Sequence, residues 1–357
     1  MSELGTGSRQ AGFSLVELMV GLTLGLMLIA GAVSIYLATS QSYREVEQVA
    51  ALTENARFAE QIIGESLRHM GFLGEVTANR VEEDPGLTAP AGDCTTPAEA
   101  GAYDLDRLGY AATVDSGGNA LGCITDGVEG TDVLVIKRTL PQPFSSGPRV
   151  RDPNNPPGDT IDTPGPLENG RTYVMTNSQG GLLFEGSDAS PTVPTIGGGG
   201  TGGDFPGGTA WAYQYEVFYV RQQNPADLPM LSRRVLSYNA STDAMEFTTE
   251  DLVEGVENLQ VLFGYDSEFN NDPNTPGYGE VDTYVDSSGI GGNWLGIESV
   301  EVFMLVRSAT GDPQYTDAKT YRLGDVTVNA QNDNFRRLLS FTSISLRNLK
   351  LMLRGGA

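Results

Sequence analysis

One histidine, two cysteines and a large excess of carboxylates are the chemistry-bearing side chains of this 357-residue chain. A Ser-His-Asp or Cys-His relay would have to run through His69. His69 falls beside the apolar face of an expected helix, near its end, so it reads as a packing or capping residue. Carboxylates are numerous enough that counting does not exclude a glycosidase-like acid pair, yet nothing singles one out. Cys94 and Cys123 with one distant histidine do not make a four-ligand zinc site. The expectation is a chain with no enzymatic activity, catalytic residue or cofactor. One stretch invites a metal reading. In "DSEFNNDPNTPG", Asp266, Glu268, Asn270 and Asp272 occupy alternate positions, as in a calcium loop. However, Asn271 stands where an EF-hand has its glycine, and Gly277 stands at the twelfth position. An acidic turn is the plainer reading, and no metal is expected.

The remaining residue with chemical interest is Glu17. It sits in "AGFSLVELMVGLTLGLMLIAGAVSIYLA", otherwise almost pure hydrocarbon from Phe13 to Ala38. Leu18 to Leu37 is 20 residues without a charge, proline or asparagine. At 1.5 Å per residue that is about 30 Å, the hydrocarbon thickness of a bilayer. The run is too long for a secretory signal, and no clear small-residue cleavage site follows it. An acid in such a helix costs on the order of 2.5–3.5 kcal/mol, less near the interface. Glu17 either lies harmlessly at headgroup level or is kept for a positive charge on another chain.

The elements that would position these residues follow from periodicity. Val49, Leu52, Ala56, Ala59, Ile63, Leu67 and Met70 recur at helical spacing, so the apolar helix continues as an amphipathic one. Gly71 and Gly74 are its natural stops. Phe13 to Met70 would span roughly 87 Å if continuous. Beyond Gly74 the helical period disappears. Short β-branched and aromatic runs stand between turn clusters at 132–138, 171–176, 181–185, 211–221, 230–238, 256–266, 298–308 and 335–348. In the seventh, Val300, Val302, Met304 and Val306 share one face while Phe303 and Leu305 share the other, the pattern of a central strand. No helix-length segments alternate with the strands. The fold expected is α+β, with antiparallel sheets packed on one long N-terminal helix. Two stretches read as surface loops or insertions: 141–166, with eight prolines, and 190–208, with eight glycines and three prolines.

Formal net charge is −24, of which the first 74 residues supply only −3. Such a domain repels nucleic acid, so no nucleic-acid partner is expected. Paired cysteines downstream of a membrane segment suit an oxidising compartment. A Cys94–Cys123 disulfide is expected rather than two buried thiols. Closing that loop would stabilise the fold by about 3–4 kcal/mol on the chain-entropy model.

"GFSLVEL", Gly12 to Leu18, resembles the class III signal of type IV pilins and pseudopilins. The resemblance implies that prepilin peptidase cuts between Gly12 and Phe13 and methylates the amino group of Phe13. It also implies that Glu17 pairs with the amino terminus of a neighbouring subunit during assembly. The single leader arginine and the acid Glu3 depart from the usual more basic leader, and the proline found midway in many major pilins is absent. "ENARFAEQIIGESLRHMGFLG" at 54–74, "LVEGVENLQVLFGYD" at 252–266 and "RRLLSFTSISLRN" at 336–348 resemble the PilW-type minor pilins of Gram-negative bacteria; the stretch from roughly 75 to 250 resembles nothing recognisable.

The resemblance implies a leader at 1–12, a transmembrane and assembly helix at 13–38, its amphipathic continuation at 39–74 and a β-rich periplasmic domain at 75–357. The chain would be single-pass in the inner membrane, in contact with its lipid, and later in a surface pilus serving adhesion or twitching motility. Its partners would be prepilin peptidase, other minor pilins, the major pilin and a tip adhesin. A J-type minor pseudopilin of type II secretion shares this architecture and stays open as an alternative, as does a membrane-anchored periplasmic binding module.

Overall fold

The computed structural model describes residues 12–144, 167–176, 180–186, 209–224, 226–268, 276–290, 294–330 and 332–348. Most of both expected loop stretches, and the leader apart from Gly12, lie outside these residues. A long α-helix, α1, runs Leu15–Arg68. The chain divides into two compact units, Met1–Ala51 and Leu52–Ala357.

In the first unit every large apolar side chain from Phe13 to Leu37 is exposed. Exposure continues beyond the apolar run: Tyr43 and Val46 face outward, and so does Val49, at 48%. Val49 therefore departs from the expected buried line. Burial begins at Leu52, where Leu52, Ala56, Ala59, Ile63 and Leu67 enter the core of the second unit. Each fully buried Leu or Ile there contributes on the order of 1.5–3 kcal/mol.

Fourteen strands are described. The first five are β1 (Val81–Glu83), β2 (Gly109–Thr113), β3 (Asp132–Pro143), β4 (Thr172–Thr176) and β5 (Gly181–Glu185). Next come β6 (Thr209–Arg221), β7 (Met230–Asn239), β8 (Ala244–Glu254), β9 (Val256–Tyr265) and β10 (Thr283–Val285). The last four are β11 (Ile297–Arg307), β12 (Thr320–Leu323), β13 (Val326–Asn329) and β14 (Arg337–Ser345). Pro141 and Pro143, expected in a loop, form the exposed end of β3. An eight-stranded sheet has the order β1-β5-β4-β6-β3-β2, with β7 and β8 continuing from β6. The length of β6 makes this branching work: β4 pairs with Thr209–Ala212 and β7 with Tyr215–Arg221, while β3 holds the opposite side. All described strand pairs are antiparallel except β1 with β5, which run parallel, a departure from the all-antiparallel expectation.

A four-stranded sheet has the order β10-β9-β11-β14. β11 is central, and Val300, Val302, Met304 and Val306 join the main core with the helix face. Its other face carries Leu305 and the half-buried Phe303, covered by the β12–β13 hairpin through Tyr321, Leu323 and Val328. Gly64 of the helix passes close over β14, where a Cβ would touch Ile344.

The helix exit is stitched at several points. Gly71 takes a left-handed φ of 74°, which favours glycine. Its N–H donates to the Lys137 carbonyl at 3.0 Å, and the Thr139 N–H donates to the Phe72 carbonyl at 2.7 Å. Asn348 Nδ2 donates to the carbonyls of Arg68 and Met70 at 3.3 and 3.2 Å, satisfying groups a helix end leaves open. Gly109 on β2 lies directly under Met70, whose thioether would have to shift to admit a Cβ there.

Candidate functional site

The first candidate is the start of α1. Gly12, Phe13 and Ser14 precede the helix in extended or irregular backbone, and Phe13 is 88% exposed. The Ser14 N–H donates to Glu17 Oε2 at 3.1 Å, and the Val16 N–H reaches Ser14 Oγ at 3.4 Å. This is the glutamate half of a capping box, in which the acid three residues on returns to the serine's own N–H, while the serine hydroxyl caps the N–H two residues on. The carboxylate also lies at the positive end of the helix dipole. Glu17 thus has a local role in the isolated chain that sequence reasoning missed, although Ser-x-x-Glu ahead of an apolar run is its signature. Beyond Glu17 the helix presents an unbroken apolar surface, suited to lipid or to other helices and not to water. Phe13 and Glu17 are near neighbours at the head of that surface. Cleavage after Gly12 would place an ammonium one residue ahead of the N–H that Glu17 holds.

The second candidate is a loop in the other unit. Cys94 and Cys123 are joined as a disulfide, with Cys94 fully buried. The N–H groups of Thr95 and Thr96 both donate to the Leu121 carbonyl. From Cys94 to Asp106 the chain has no long helix or strand, so its backbone polar groups need partners elsewhere. The sheet supplies them. Lys137 Nζ donates to the Glu99 carbonyl at 2.7 Å and to the Asp104 carbonyl. Tyr215 donates through its hydroxyl to the Ala100 carbonyl at 2.7 Å, and Tyr213 donates to the Ala102 carbonyl. Lys137 and Tyr215 are cross-strand partners on β3 and β6, so neighbouring side chains of one face grip alternate carbonyls of one loop. Asp93 and Glu83 accept the N–H groups of Cys94, Ala102 and Leu105.

Burial dominates the electrostatics. It pushes the Lys137 ammonium down to about 8, against the opposing pull of Asp104, Asp93 and Glu83. Burial also raises the Tyr213 and Tyr215 hydroxyls well above the usual tyrosine range. A buried, deprotonatable lysine can mark a catalytic amine. Here both its described contacts are backbone carbonyls, an arrangement that holds a loop in place.

The other residues singled out by sequence lie apart. His69 donates through Nδ1–H to the Glu65 carbonyl at 3.0 Å and is half-buried at the helix exit. Asp266 is fully buried, and its two carboxylate oxygens accept the N–H groups of Glu268 and Gly279 at 3.0 and 2.7 Å. That geometry closes a turn. Glu268 is exposed, and Asn270 and Asp272 lie outside the described residues. Among the described residues, no three His, Cys, Asp or Glu side chains gather as a metal site.

The family described as "Type IV Pilus-assembly protein W" matches residues 217–348, from within β6 to the capping Asn348. The prokaryotic N-terminal methylation motif matches residues 7–33, which include Gly12, Phe13 and Glu17. No curated protein matches the chain. Among solved structures, a type IV-like pilin from Thermus thermophilus is similar at 14% identity, with 51% of this chain and 85% of that chain covered and a TM-score of 0.22. The chain thus matches the pilus-assembly protein W family over residues 217–348 and carries an N-terminal methylation motif at its start.

Proposed function

We propose that this chain is a minor pilin that acts in a priming or tip complex of a type IV pilus, in a structural and not an enzymatic role. Prepilin peptidase cuts between Gly12 and Phe13 and methylates Phe13. The apolar helix holds the chain in the inner membrane with its second unit in the periplasm, until assembly moves the helix from lipid into a bundle of other subunits. Glu17 then exchanges the Ser14 N–H for the amino terminus of a neighbouring minor or major pilin. In a low-dielectric bundle that attraction is far stronger than in water. A tip adhesin is the further partner.

The observation that carries this reading is the fully exposed apolar helix, headed by Gly12–Phe13 and interrupted by Glu17 alone, in a chain whose C-terminal third matches the pilus-assembly family. A deletion strain tests it. Loss of surface pili and of twitching, with exoprotein export intact, is the expected result. Normal pili with failed export would replace this reading with that of a type II secretion pseudopilin.

A further inference from the structure

Between β11 and β14 the chain leaves the four-stranded sheet and returns to it. Residues 312–334 make this excursion, and its middle is the β12–β13 hairpin, turned at Gly324 and Asp325 with Gly324 at a left-handed φ of 62°. Among the described strands, β12 and β13 pair only with each other. The backbone hydrogen bonds described for residues 313–330 all stay within the excursion. A lone two-stranded hairpin is marginal in water, so contacts with the sheet must hold this one.

The apolar contacts are few. Tyr321 and Leu323 bury against Leu305 in a small cluster separate from the main core. The Gly324 backbone lies over Leu262 and Phe303, whose side chains would have to shift to admit a Cβ there. The other tie is ionic. Arg337, the first residue of β14, donates to Asp317 at 3.1 Å and to the two carboxylate oxygens of Asp333 at 2.8 and 2.6 Å. Asp317 is fully buried and also accepts the hydroxyl of Tyr321 at 2.9 Å. The Asp317 N–H donates to the Asp333 carbonyl at 2.8 Å, and Arg336 pairs with Asp312 at 2.9 Å. One guanidinium therefore staples both arms of the excursion to the sheet.

We propose that residues 312–334 form a cover over the outer face of β11, latched by Arg337 to Asp317 and Asp333 and released by acid before the rest of the second unit unfolds. Segments held by few apolar contacts open locally at less than the global cost. Release bares Leu305, Phe303 and Leu262 beside the exposed Phe341, whose ring lies 4.9 Å from that of Phe303. The cover stands independently of how the N-terminus is processed.

The direction follows from the groups that face the latch. Arg337 holds Asp333 below the usual carboxylate range. Burial pushes Asp317 up, and Arg337 and Tyr321 more than reverse it. Their contribution to closure is present above the unfolded value of about 4 and is lost as pH falls through the lower folded values. Two groups oppose release. Glu257 on β9, raised by burial, takes its proton first and leaves Arg337 to the aspartates. Asp132, raised by burial and then by Asp325 at the hairpin tip and by Asp286, stops repelling Asp325 once protonated. Neither has a described hydrogen bond to the excursion, whereas Arg337 has three, so the aspartates decide the outcome. Lys319 against the Tyr315 ring, Arg322 on the Gly324 carbonyl and Arg307 beside Glu257 are cations that acidification does not alter.

Hydrogen–deuterium exchange of the full chain in detergent, at pH 7 and pH 3.5 with labelling times scaled for the intrinsic rate, tests this. At pH 3.5, peptides from 313–330 should lose protection about tenfold or more, while those from β3 and β6 keep theirs. Asp333→Asn preserves the side chain's size and removes its charge, so it should open the cover at pH 7 by a similar factor. Asp325→Asn, at the tip, should leave the cover closed at pH 7. Cover peptides that lose protection only together with β3 and β6, or that are as protected at pH 3.5 as at pH 7, would overturn the proposal. So would an Asp333→Asn cover indistinguishable from wild type, or an Asp325→Asn cover that opens at pH 7.

Discussion

The Ser14 N–H donates to the Glu17 carboxylate at 3.1 Å, so the one acid of the apolar helix closes its own N-terminus before any neighbour arrives. This bond lowers the penalty of keeping Glu17 in an apolar segment, and it holds the carboxylate at the end where a new amino terminus would appear. Glu17→Val should leave cleavage after Gly12 intact and abolish or strongly reduce incorporation into filaments. A neighbour's ammonium left unpaired in a helix bundle would be penalised by about 3–5 kcal/mol. Glu17→Gln retains an acceptor for the Ser14 N–H but no charge, so it should insert normally and still assemble poorly. Immunoblots of sheared pili and membrane fractions read both outcomes. Wild-type pilus incorporation of Glu17→Val would count against the ion-pair role.

The disulfide and the loop it begins form the second test. Cys94→Ser with Cys123→Ser should lower the stability of the second unit by about 2–5 kcal/mol, with the Cys94–Asp106 loop becoming the most protease-sensitive part of it. Urea denaturation in detergent, with and without reductant, measures the effect. Reductant should shift the wild-type midpoint and leave the double variant unmoved.

Lys137 gives a pH signature with a definite sign. Its folded value of about 8 lies below the ordinary lysine value, so between the two the unfolded chain binds more protons. Stability from this group therefore rises with pH above about 8. The buried tyrosines act oppositely above about 10, where the unfolded chain loses protons that the folded one keeps. Wild-type stability should rise between about pH 8 and 10. Lys137→Met should flatten that rise and loosen the loop by freeing the Glu99 and Asp104 carbonyls. A variant with an unchanged slope would show that Lys137 is not the titrating group.

Arg337 predicts the acid limb. Its guanidinium, with hydrogen bonds from the turn, holds Asp333 and Asp317 below the usual carboxylate range; for Asp317 it does so against burial, which pushes up. Groups depressed in this way stabilise the fold above their unfolded value near 4, and that contribution is lost as pH falls through the lower folded values. Glu257 opposes this in part, because burial raises it. Arg337→Met should cost about 3–5 kcal/mol at pH 7, leaving partly buried carboxylates without their cation, and the difference from wild type should shrink below about pH 4. Paired urea melts at pH 7 and pH 3.5 give the comparison. A constant difference would contradict the network's role.

Strands such as β5, β6, β9 and β11 were legible because their β-branched and aromatic runs are buried on at least one face. β8 escaped because "AMEFTTEDLVE" is an exposed edge whose acids and threonines look like a loop. β2 escaped because "GYAAT" packs through small residues under Met70. The helix face was legible from Leu52 onward, whereas Val49 shared its period without its burial. The loop from Cys94 to Asp106 could not be read from its own residues, because it is held by its backbone. The signals, Lys137, Tyr213 and Tyr215, sit on strands whose cross-strand pairing a linear sequence does not display. Asn348 caps a helix that ends 280 residues earlier, at Arg68, and no local pattern announces such a contact.

The most direct test of the central claim is the mass of the N-terminal peptide of the mature chain, isolated from membranes of cells with active prepilin peptidase. The account predicts a peptide beginning at Phe13 and carrying one N-methyl group, with the unprocessed form accumulating in Gly12→Glu. A chain that still begins upstream of Gly12 in the wild type, or an unmethylated Phe13, would contradict it.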